Sequence, residues 1–142
     1  MLAKKTYLAL IFTFAIQLSG HAQSPQPKKS FSLHLCFGGI QSGVISKQDH
    51  LEDSLAFTDS LANEMLRILS FKLALACNGN VVKYFENKSG NKLTPEMKAA
   101  ILEMHPGCAI TFQGIKSLWI EKGSGGQDSK LDYLILKLTL KN

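Results

Sequence analysis

Few side chains in this sequence can do chemistry, and their spacing limits what chemistry that is. Four histidines (His21, His34, His50 and His105) and three cysteines (Cys36, Cys77 and Cys108) are the candidate ligands and nucleophiles. Asp49-His50 with Glu52 and Asp53 gathers four groups of metal-binding or acid–base type. Neighbouring residues on a regular element point in different directions, so the run does not converge on a metal by itself. A solvated turn or helix start is the expected reading. His34-x-Cys36 and His105-Pro106-Gly107-Cys108 together hold four potential zinc ligands. A tetrahedral site needs the two pairs to meet in space, and their spacings match no common zinc finger. A surface histidine near a turn and ordinary core cysteines are expected instead. No serine stands in a G-x-S-x-G context, and no glycine-rich loop opens a helix as a phosphate cradle does. The residues predict no catalytic centre, metal site or cofactor.

Two features remain. Cys77 and Cys108 both fall on the apolar faces of their strands. If those strands lie in facing sheets, the sulfurs come within bridging distance. Such a bond closes a loop of about 30 residues and contributes roughly 3 kcal/mol on the loop-entropy model. Three buried thiols are the alternative, and an odd cysteine count leaves one thiol over in either case. Trp119 on an exposed face would offer a platform for a sugar ring or a partner; a core tryptophan is the competing reading.

The elements that must carry these residues are mostly strands. Phe31, Leu33, Leu35 and Phe37 alternate with polar or small residues, and Gly38-Gly39 ends the run. Phe71, Leu73, Leu75 and Cys77 alternate in the same way. Asn78-Gly79-Asn80 then offers a tight turn, with Val81 to Phe85 as the return strand. Cys108, Ile110 and Phe112 share a face of a third run, which Gly107 opens, Gly114 interrupts and Ile115 to Glu121 continues. Gly123 to Asp128 reads as a loop, and Leu134, Leu136, Leu138 and Leu140 mark a last strand. One helix is expected at 94–104, with Thr94 as cap, Pro95 in the first turn and Pro106-Gly107 as the stop. Ser54 to Leu69 fits both periods: Leu61, Met65, Ile68 and Leu69 form a helical stripe, while Met65, Arg67 and Leu69 suit a strand leading into Phe71.

Length and composition bound the rest. At 142 residues, 45% hydrophobic and 19% charged, the chain suits one globular domain with a short attachment. Residues 1–22 read as a secretory signal. Lys4 and Lys5 precede an apolar run from Tyr7 to Leu18, and Gly20 and Ala22 supply the small residues a peptidase favours. That run is shorter than the roughly 20 apolar residues a membrane span needs. No stable membrane insertion is therefore expected after cleavage. Residues 23–30 read as a flexible lead-in and 31–142 as the domain. Beyond residue 22 the chain holds 14 basic and 11 acidic side chains. That balance is too mild to predict binding to nucleic acid or to a membrane surface.

The order of these features resembles a known family. The strand 31–37 and Gly38-Gly39 lead to Gly43-Val44-Ile45-Ser46-Lys47, with Leu51 following. Ser70-Phe71-Lys72-Leu73 lies in the next strand, and Lys92-Leu93-Thr94 opens the helix. Gly107-Cys108-Ala109-Ile110-Thr111-Phe112 with Ile115-Lys116 comes after it. Residues 31–142 are thus similar to the C-terminal periplasmic domain of the GldM/PorM proteins of gliding motility and type IX secretion in Bacteroidetes. The resemblance implies an immunoglobulin-like β-sandwich in the cell envelope, a strand at about Glu64 to Leu75, and a non-catalytic role in binding an envelope protein. Full-length members carry a membrane-anchored helical part and further domains, whereas this chain matches the terminal domain alone. A sandwich that binds a glycan or peptide is the alternative function.

Overall fold

The computed structural model describes residues 32–120 and 126–141. All of them belong to the unit Phe31–Asn142. The expected signal peptide and lead-in lie outside the described residues. Among the described residues the elements follow in the order β1 (Leu35–Phe37), β2 (Gly43–Ser46), β3 (Leu55–Phe57), α1 (Ser60–Met65), β4 (Leu66–Cys77), β5 (Asn80–Asn87), α2 (Pro95–Glu103), β6 (Ala109–Trp119), β7 (Gln127–Leu131) and β8 (Leu136–Lys141).

The protein is mainly β, with two sheets. β1 and β3 form an antiparallel two-stranded ribbon. The large sheet runs β2-β8-β6-β4-β5, with β7 also paired to β6. All its pairings are antiparallel except that of β2 with β8, which is parallel. β7 and β8 lie one after the other along β6: Leu131 opposes Ile115, and Leu136 opposes Phe112. They make one return strand, broken at residues 132–135.

Local sequence explains the joints. Asn78 and Gly79 both take positive φ (51° and 78°), as a two-residue type I′ hairpin requires, so β4 turns directly into β5. Gly114 (φ 57°) interrupts the alternation of β6 without ending it. Here the pairing with β4 shifts register, and the strand bends through a bulge. The ambiguous stretch 54–69 resolves into three elements in series. Asp59 accepts the Leu61 N–H at 2.8 Å and starts α1, and β4 begins immediately after Met65. Helical and strand periods were both present because each governs its own half. α2 follows the capping residues, with the Thr94 hydroxyl accepting from the Met97 N–H at 3.3 Å. β1 is shorter than the 31–37 run, starting at Leu35.

Alternation along the strands sets the core. Phe71, Leu73 and Leu75 of β4, Ile110, Phe112 and Ile115 of β6 and Leu136, Leu138 and Leu140 of β8 are buried on one face of the large sheet. Met97, Ala100 and Ile101 of α2 and Leu35, Phe37, Leu55 and Phe57 of the ribbon join the same cluster. The rings of Phe37 and Phe112 lie 4.9 Å apart and those of Phe71 and Phe112 5.6 Å, joining ribbon to sheet. Between β5 and α2, the buried Asn87 side chain donates to the Lys92 carbonyl at 2.7 Å and accepts the Ser89 N–H at 3.0 Å. Its polar atoms are thereby satisfied inside the fold.

Candidate functional site

Cys77 and Cys108 form a disulfide. The strands carrying them do not face each other from two sheets, as the sequence reading supposed. β4 and β6 are neighbours in one sheet, and the bond continues their register one step beyond the Ala76–Ala109 pair. Directly opposed residues there approach closely enough, with a Cα separation of 4.4 Å. The bond closes residues 78–107 into a loop that holds β5 and α2. It also removes Cys108 from the four-ligand zinc set, because a disulfide sulfur is no thiolate. Cys36 remains as a free, buried thiol. Burial pushes its pKa up, against a smaller lowering from the Gly39 backbone hydrogen bond. A thiol held protonated at neutral pH is a poor nucleophile.

The Asp49–Asp53 run is a turn whose side chains serve different partners. His50 Nδ1 lies 2.6 Å from Asp53 Oδ2, and the Asp53 N–H donates to the His50 carbonyl at 3.1 Å. Glu52 instead meets Lys98 of α2 at 2.7 Å, and Lys47 donates to the Met104 carbonyl at the end of α2. The turn is therefore tied to its surroundings by these pairs. Among the described residues no group of three or more His, Cys, Asp or Glu side chains is placed to hold a metal ion.

Gly38 explains why this turn sits where it does. A Cβ at Gly38 would run into the Asp53 carboxylate and stand 2.9 Å from His50 Nδ1, and its φ is 56°. The His50–Asp53 pair is seated on the bare backbone of the β1–β2 connection. Gly38→Ala meets both strain and clash, so a loss of about 1–3 kcal/mol is expected in urea unfolding. An unchanged midpoint would show that the turn does not rest on this glycine.

Trp119 is half-buried at the end of β6 and packs against the core. A cleft of about 440 Å³ lies between residues 33–35 with Gln41 and residues 133–136. His34 is one of its walls, and Trp119 does not line it. The Gly123–Gly125 part of the glycine loop lies outside the described residues.

The most extended feature open to a partner is the β5 edge, which composition did not single out. β5 is eight residues long and, among the described residues, pairs with β4 on one side alone. Val81, Val82 and Tyr84 are 63%, 53% and 53% exposed on it. Proteins normally blunt such edges with short strands, prolines or charges, because an open edge pairs with other chains. Lys83 and Glu86 are the charges present. At the other edge β2 is four residues long and exposes Val44. No family model, curated protein or solved structure matches the chain.

Proposed function

We propose that the chain is a non-catalytic protein-binding module of the bacterial cell envelope, working by strand addition at β5. The observation that carries this reading is the eight-residue open edge with three exposed apolar side chains. An added strand gains main-chain hydrogen bonds from the edge, while alternate side chains choose the partner. The lysine-led apolar start of the sequence supports export, and the order of motifs along 31–142 supports likeness to the GldM terminal domain. On this reading the two sheets are the leaves of an immunoglobulin-like sandwich. The smaller leaf is reduced to β1 and β3, and the helices complete its cover. A link to type IX secretion or gliding belongs to the same reading. Binding of a glycan or peptide is the second reading, favoured by the cleft between residues 33–35 and 133–136.

The test is a cross-linked pull-down from native envelopes with residues 23–142 as bait, followed by hydrogen exchange on the captured complex. Protection of the β5 amides is the expected result. Val81→Ala with Tyr84→Ala removes two exposed side chains and leaves the core intact. It should weaken capture about tenfold, as loss of apolar anchors commonly does. A folded bait that recovers nothing, or a complex in which β5 exchanges as fast as in the free chain, contradicts the edge mechanism.

A further inference from the structure

The large sheet has a face turned away from the core, and charge collects on it. Arg67, Lys72, Lys116, Lys130, Lys137 and Lys141 each follow or precede a buried core residue on their strand. Strand alternation therefore turns them to the opposite face. The register spreads them along the face: Arg67 opposes Leu118, Lys116 opposes Lys130, Lys72 opposes Gln113, Lys137 opposes Thr111 and Lys141 opposes Ser46. Glu86 and Asp128 are the acidic residues that share this face. The rest of the described chain carries five basic and eight acidic side chains. The weak overall charge thus hides a strong division.

Of the five other basic residues, Lys47, Lys83 and Lys98 are held by a partner among the described residues, whereas Lys88 and Lys92 are not. Lys83 reaches Glu103 at 3.0 Å, Lys98 reaches Glu52 at 2.7 Å, and Lys47 holds the Met104 carbonyl. None of the six on the open face makes an ion pair with another described residue. Lys116 and Lys130 are direct Cα partners on adjacent antiparallel strands. That sets two like charges about 5 Å apart at Cβ, an arrangement that destabilises a sheet. Asp128 stands two residues before Lys130 on the same face, and neither lysine makes an ion pair with it.

We propose that this open sheet face, centred on Lys116 and Lys130, docks an acidic segment of a protein partner. The inference rests on the binding-module reading and names a second surface for it. Charge complementarity selects the partner's sign. Five of the six basic residues are lysines, and among the described residues Tyr84 alone is an aromatic on this face, short of the series of aromatics on which single-stranded nucleic acid stacks successive bases. Tyr84 shares the Thr111 row with Lys137, and Val44 and Val81 share the Ala109 row, with Lys141 two residues beyond it on β8. An acidic segment that also carries apolar side chains fits this interleaving of basic and apolar positions. A planar lipid surface fits a twisted sheet face less well.

Lys130→Glu is the deciding variant. It converts the like-charge pair into an opposite-charge pair, so the Tm should rise while binding falls. Binding of an oligoglutamate peptide to residues 23–142 is measured by fluorescence anisotropy at low and physiological salt. The expected result is salt-sensitive binding that Lys130→Glu weakens about tenfold and Lys92→Glu, with the same change in net charge, leaves within about twofold. Equal weakening by the two variants overturns the proposal, since net charge alone would explain it. Binding to phosphatidylglycerol vesicles without binding to oligoglutamate overturns it in favour of a membrane. Envelope capture through a protected β5, with no oligoglutamate binding, overturns the face and leaves the edge reading standing. Oligoglutamate binding that meets these criteria, without β5 protection in the captured complex, supports the face and sinks the edge.

Discussion

Removing the Cys77–Cys108 bond should lower the stability of the chain by about 3–4 kcal/mol, because the unfolded chain regains the entropy of a loop whose ends are 31 residues apart. The effect is concentrated. β5 and α2 lie inside the closed loop, and among the described residues β5 has a sheet neighbour on one side alone. Their backbone amides should lose protection before those of β4 and β6, which are paired on both sides. Urea unfolding of the oxidised chain against a Cys77→Ala, Cys108→Ala variant measures the total, and hydrogen exchange measures its distribution. Cys36→Ala serves as control, because its thiol is free and should leave the sensitivity to reductant unchanged. A difference below about 1 kcal/mol would show that the folded chain does not depend on the bond. A module working in an oxidising compartment would keep β5 ordered through this bond.

Phe112→Ala should cost about 3–5 kcal/mol, the range for emptying a large aromatic from a closed core. Phe112 is fully buried on β6 and touches the rings of both Phe37 and Phe71. Its loss opens a cavity at the junction of the ribbon with the large sheet. The ribbon strands are three residues each, so they have little else with which to hold register. The expected outcome is a large fall in the urea midpoint together with faster exchange at Leu35–Phe37. A loss of about 1 kcal/mol or less, or a loss that leaves β1 fully protected, would show that the ribbon is anchored elsewhere.

Much of the fold was legible where a local rule acts alone. Asn78-Gly79 dictates its hairpin through backbone conformation, and Thr94-Pro95 sets the start of α2. The alternating apolar residues of β4, β6 and β8 mark the covered sheet face. The stretch 54–69 was not legible as a whole, because a one-and-a-half-turn helix and a strand abut there without a loop. Both periods are present, and only the change to extended backbone at Leu66 separates them. The cysteine pair illustrates a second limit. Placing both sulfurs on apolar faces follows from alternation, but whether two strands are neighbours or face each other depends on pairing over long range. The open basic face was invisible for the same reason. Arg67, Lys116, Lys130 and Lys137 are scattered through the sequence among acidic residues, and the cross-strand register gathers them. Net charge therefore gave a misleadingly neutral impression. Conversely, the Asp49–Asp53 run looked like a cluster in the sequence and proves to be a set of separate contacts, His50 with Asp53 and Glu52 with Lys98.

The most direct test of the binding-module reading is lysine-specific cross-linking of the protein in native envelopes, with the linked residues identified by mass spectrometry. Lysines mark both sides of the molecule, so the chain carries its own control. The predicted result is links to partner proteins from Lys72, Lys116, Lys130 and Lys137 on the open sheet face and from Lys83 on the β5 edge, with few from Lys92 and Lys98. Links to partners that concentrate on Lys92 and Lys98, or that fall evenly on every exposed lysine, would contradict it.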